Sequence, residues 1–138
     1  MARAGEQMSK SNPRRSNSAR RNKVVKWLRS QARPCWICRL PIDYSLPAKD
    51  PCSFECDELI PVSKGGSPFD RDNVGAAHRC CNNWRNNKSI AEVSRLASLV
   101  LSKYSITDPL DFVTKVKSFE RHTPPRKAHI TPRTTTKW

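Results

Sequence analysis

Residues 34–38, PCWIC, place two cysteines three positions apart directly after a proline. A C-x2-C of this form is a knuckle whose turn aims both thiolates, Cys35 and Cys38, at one point. A second pair, His78 and Cys81 in the stretch HRCC, repeats the i, i+3 spacing, which on a helix brings two side chains to one face. Four donors of type Cys, Cys, His and Cys suit tetrahedral Zn²⁺, and a set closed by four protein ligands is structural rather than catalytic. Competing assignments take Cys80 in place of Cys81, or recruit the closely spaced Cys52 and Cys56. Cys80 is two residues from His78 and on a helix points elsewhere, while Cys56 adjoins two acids on what reads as a strand.

A staple of this kind answers a need set by composition. The 138 residues fit one domain, but the proline content and the modest apolar fraction leave only a small core. A folded unit of roughly 50 to 60 residues buries only about 60% of its unfolded surface and usually needs a disulfide set or a metal. The N-terminus has no apolar run resembling a secretory signal and no segment approaches a membrane span, so the expected location is cytoplasmic, with reduced thiols. Cysteines at short spacing are then better read as metal ligands than as disulfides.

Charge divides the chain. Twenty-six Lys and Arg against twelve Asp and Glu give a formal net charge of +14, which points to a polyanionic partner, nucleic acid first. Residues 1–21 read as a disordered basic arm whose Arg14, Arg15, Arg20 and Arg21 add sequence-independent affinity for DNA. Residues 22–33 read as a leading helix with Val24, Val25, Trp27 and Leu28 as its apolar stripe. Residues 34–88 hold all six cysteines and seven of the twelve acids and form the expected core. Residues 89–120 read as two helices. Ser89 and Glu92 form a capping box ahead of Ile90, Val93, Leu96, Val100 and Tyr104; Asp108 and Pro109 open the other, with Leu110, Val113, Val116 and Phe119 along it. Residues 121–138 read as a basic, flexible tail.

Within the core, residues 55–66 are ECDELIPVSKGG, three acids within four positions of a strongly basic chain. Residues 54–62 read as a strand, 63–69 as a loop and 74–87 as a helix. Asp57 on the strand and Asn82 on the helix supply a carboxylate and an amide oxygen, a modest hard-ion site that leaves Mg²⁺ its waters.

DELIPVSKGG, then Asp72-Asn73-Val74, then AHRCCNNWRNNK resembles the HNH endonuclease motif, a ββα-metal nuclease, in the branch with a zinc-binding cysteine knuckle. The resemblance spans about residues 35–88. It implies a small zinc-stapled ββα-metal core, which with the flanking helices and disordered basic arms read above makes the expected fold class α+β. It implies that Asp57 and Asn82 bind a catalytic divalent ion, Mg²⁺ or another, and that Cys35, Cys38, His78 and Cys81 hold structural zinc. Asn73 would hydrogen-bond across the loop and hold the base in place, and Gly65 and Gly66 would bring backbone close to a phosphate. Arg79, Arg85 and Lys88 are the expected phosphate contacts on the helix. Small stand-alone relatives of this kind are often encoded by bacterial viruses and assist genome packaging beside a terminase, in the host cytoplasm.

The departure is Glu58, where the family places a histidine as general base. A glutamate of ordinary pKa about 4.3 is ionised at neutral pH and accepts a proton, though it is a weaker base than imidazole. Three readings compete: Glu58 as replacement base, Glu58 as a second metal ligand, and a catalytically silent, zinc-stapled nucleic-acid-binding module. Adjacent strand residues face opposite sides, so Asp57 and Glu58 reach one ion only if the strand bends or bulges.

Overall fold

The computed structural model describes residues 13–122 and is mixed α+β. In chain order it contains α1 (Pro13–Ser30), β1 (Phe54–Glu58), β2 (Val74–His78), α2 (Arg79–Arg85), α3 (Ile90–Lys103) and α4 (Pro109–His122), with 3-10 turns at Val62–Lys64 and Arg71–Asn73. The strands pair antiparallel, Phe54 opposite His78 and Glu58 opposite Val74. A lone pair of strands is barely stable in water, so both faces must be covered.

Alternation along the strands decides what covers them. On one face Phe54, Val74 and Ala76 pack with Val24 and Leu28 of α1. On the other, Ala77 joins the larger cluster of Ile37, Cys81, Trp84, Val93, Leu96, Val100, Phe112 and Val116. In α3 the fully buried stripe is Val93, Leu96, Ala97 and Val100, the i, i+3, i+4, i+7 pattern of one helix face. Ser89 caps this helix through Glu92 N at 3.1 Å, and Asp108 caps α4 through Leu110 N at 3.2 Å.

Several boundaries differ from those expected. The helix expected at residues 22–33 begins at Pro13 and ends at Ser30, so part of the expected disordered arm is helical. Proline suits a first helical position, and the left-handed Ala32 (φ 49°) ends the run before Pro34. The helix expected from Val74 starts only at Arg79. Residues 74–78, VGAAH, form a strand instead, every residue of it buried, because burial and pairing outweigh the helical preference of alanine. Strand β1 stops at Glu58, short of Val62. In α4 it is Phe112 and Val116 that are buried, whereas Leu110 is 44% exposed. Residues 1–12 and 123–138, with most of the two expected arms, lie outside the described residues, as do the side chains of Arg14 and Arg15.

Candidate metal centre and the acidic cleft beside it

The knuckle and the strand-to-helix junction converge. The ligand atoms of Cys35, Cys38, His78 and Cys81 all lie within 4.8 Å of one another, and all four residues are buried. Cys38 Sγ is 3.3 Å and Cys81 Sγ 3.9 Å from His78 Nδ1. Tetrahedral bonds of about 2.0–2.3 Å imply ligand-to-ligand edges of roughly 3.5–3.8 Å, so the donor set fits a metal ion such as zinc. His78 is the residue before α2, with extended backbone (φ −70°, ψ 145°), rather than a member of the helix. Its Nε2 lies 3.0 Å from Pro41 O, which fixes the ring and leaves Nδ1 for the cluster. Backbone N–H groups of Cys38 and His78 approach Cys35 Sγ at 3.5 Å.

Protons in the cluster are strongly redistributed. Hydrogen bonds from Cys38 and Cys81 hold the Cys35 thiol far below its ordinary value. Burial presses the His78 imidazole down, but its hydrogen bonds with Cys35 and Cys38 outweigh it and lift it to about 10. Cys81 is pushed far up by Cys35 and Cys38. Four groups contesting too few protons are what a divalent cation relieves. Cys80, Cys52 and Cys56 stand outside the cluster and are only partly buried. The choice between Cys81 and Cys80 thus falls to Cys81, which the helix turns inward.

The knuckle reaches further than its thiolates. Trp36 donates its indole Nε1 to Asp57 Oδ2 at 2.9 Å, and its backbone N–H pairs with Ala76 O. Gly75, opposite Asp57 in the strand register, makes room for the ring: a Cβ there would lie 2.8 Å from Trp36 Cδ1. Arg85, at the end of α2, stacks on the same ring 5.1 Å from its centroid and bonds Asp57 Oδ2 through NH1 at 2.7 Å. The pair is secluded, with side chains 4% and 11% exposed. Arg85 also donates to the carbonyls of Glu58, Leu59 and Lys88. Burial raises the Asp57 carboxyl above the usual range, although Arg85 and Trp36 pull it down.

Glu58 turns the other way, as alternation requires. Its Oε2 is 3.6 Å from Arg21 NH2 on α1, and Arg21 also bonds Cys56 Sγ and O. At the end of β1 both acids nevertheless border one cleft of about 540 Å³, with Lys64, Arg85, Lys88 and Ile90 on its walls. Behind it Asn73 clasps the loop: Ile60 N donates to its Oδ1 at 2.9 Å, and its Nδ2 donates to Ile60 O and Ser67 O. Gly65 has the left-handed φ of 94° that the turn needs. Gly66 serves this clasp, since a Cβ there would lie 1.7 Å from Ile60 O and 2.7 Å from Asn73 Nδ2.

Asn82 does not meet Asp57; its Nδ2 donates to Glu55 Oε1 at 2.9 Å. Arg79 also leans on Glu55, at 3.8 Å. Lys88 is tied to Trp84 O and Glu120. Arg85, expected as a phosphate contact, is instead the buried clasp of Asp57. Trp36, expected to pack beside the zinc cysteines, also holds Asp57, while Glu55 and Gly75 carry no role expected from sequence; the signal for this arrangement, a glycine and an indole facing an acid, emerges only once residues 74–78 are paired as a strand. No protein-family profile, curated protein or solved structure matches the chain. Among the described residues no helix is long and apolar enough to cross a membrane.

Proposed function

We propose that the protein is a metal-dependent DNA endonuclease of the HNH type, held together by zinc on Cys35, Cys38, His78 and Cys81. The supporting observation is the juxtaposition at the end of β1: Asp57 and Glu58 border a cleft walled by lysine and arginine, in a chain of net charge +14. Asp57 Oδ1 receives no hydrogen bond from a described donor, and a carboxylate oxygen of this kind suits a hard divalent cation that keeps several waters. Such an ion, Mg²⁺ or another, supplies stabilisation of charge on the phosphate.

The chain's own residues do the rest. Glu58 accepts the proton of the water whose oxygen bonds to phosphorus as the phosphodiester P–O bond breaks and the sugar oxygen leaves; Arg21, 3.6 Å away, orients the Glu58 carboxylate. Lys64, on the cleft wall, draws the phosphate in. Asn73 keeps the loop after Glu58 in place. In the phage setting that the sequence resemblance implies, cutting would serve genome packaging beside a terminase.

A second reading, a catalytically silent DNA-binding module, is favoured by one contact: Arg85 already neutralises Asp57. Cleavage of supercoiled plasmid with Mg²⁺, Mn²⁺ or Ni²⁺ separates the two. The nuclease reading expects nicking by the wild type and its loss in Glu58→Gln. Activity gained only in Glu58→His would establish the silent module instead.

A further inference from the structure

The first described turns of α1 and the segment after the glycine pair border another cleft, shallow and open, of about 580 Å³, lined by Asn17, Ser18, Arg21, Asn22 and Phe69 with Glu58 at one side. Glu58 borders the acidic cleft too, so the two open on either side of one side chain. The side chains of Asn17, Ser18 and Asn22 are exposed, and none takes a hydrogen bond from another described residue. Beside them the Arg20 guanidinium lies 3.9 Å from the centroid of the Phe69 ring.

We propose that this second cleft is a nucleobase subsite, taking one base of the strand whose phosphate lies at Glu58. The proposal rests on the nucleic-acid reading above and adds to it a place where the chain meets a base rather than the backbone. Two free amides and a hydroxyl offer the mixed donors and acceptors that base edges present. The Arg20–Phe69 stack offers a planar surface of the kind on which bases stack. A phosphate is the wrong occupant: Arg21, the cation on the cleft wall, is spent on Glu58 and Cys56. A neutral base needs no such cation. The volume also falls within the roughly 300–1,000 Å³ range of small-molecule sites.

The test compares binding of the full chain to fluorescent oligothymidylate and to an abasic oligodeoxynucleotide of equal length, at one salt concentration. The wild type should hold the base-bearing strand about tenfold more tightly. Phe69→Leu, and separately Asn17→Ala with Asn22→Ala, should close that gap and leave the abasic affinity unchanged. Phe69 packs against the cluster that α1 forms with the strands, so far-UV circular dichroism and zinc content accompany each variant; if Phe69→Leu unfolds, the exposed asparagine pair decides alone. Equal affinities in the wild type, or a gap that survives the asparagine substitutions, overturn the subsite. Because no cleavage is read, a chain that never nicks plasmid but shows the gap keeps the subsite and loses the nuclease. A chain that nicks without the gap does the reverse, and one that binds neither strand refutes both.

Discussion

The Cys35–Cys38–His78–Cys81 group and the Asp57–Glu58 pair belong to the same strand–strand–helix unit, yet one converges and the other diverges. Two i, i+3 pairs on a turn and at a strand-to-helix junction fold onto one point. Two adjacent acids on a strand are sent to opposite faces, Asp57 to Arg85 of α2 and Glu58 to Arg21 of α1. Spacing on a turn or helix therefore predicts a site, whereas adjacency on a strand predicts two sites. Trp36 joins the regions, since the knuckle that supplies Cys35 and Cys38 also supplies the indole on Asp57.

The largest expected effect comes from breaking the convergent region. Cys38→Ser, or a strong chelator, should remove the metal and with it cooperative thermal unfolding, because a structural ion in so small a core contributes folding energy outright. Cys80→Ser should keep full zinc content by elemental analysis and an unchanged Tm. Loss of zinc in that variant would return the ligand role to Cys80.

Next in size is the divergent region's buried pair. Arg85→Met leaves the Asp57 carboxylate without its cation in a secluded position and should cost about 3–5 kcal/mol in urea denaturation. An effect below about 1 kcal/mol would mean that the pair behaves as an exposed one. Zinc content should stay stoichiometric, which separates this loss from that of Cys38→Ser.

A smaller effect follows from the raised carboxyl of Asp57. Burial lifts it above its ordinary value of 3.8 against the pull of Arg85 and Trp36. The folded chain then holds this proton more tightly than the unfolded chain does. The stability it contributes is fully present below 3.8 and is lost as pH rises through the raised folded value. Over that window the wild type should lose stability relative to Asp57→Asn. Parallel stability curves for the two proteins would show that the carboxyl is not shifted.

What was legible in the sequence is what is local. The C-x2-C knuckle, the Ser89 and Asp108 caps and the stripe of Val93, Leu96 and Val100 depend on neighbours a few residues away, and each is found. The strand at residues 74–78 was not legible, because an alanine-rich stretch running into HRCCNNW carries a helical preference that only pairing with β1 overrides. Until residues 74–78 are paired with β1, nothing in the sequence marks the partners of the acids. Gly75 opposite Asp57, Trp36 across from it and Arg85 beneath are consequences of register. Gly66 illustrates the same point: the close approach of the Ile60 carbonyl and Asn73 that requires the glycine is visible only in the folded loop.

The measurement that tests the central claim most directly is nicking of supercoiled plasmid in Mn²⁺ by wild type and Glu58→Gln, with zinc content and DNA affinity determined on the same samples. The account expects nicking by the wild type and its loss in Glu58→Gln, with zinc and affinity unchanged. Equal nicking by both proteins, or none by a zinc-loaded, DNA-bound wild type, would contradict it.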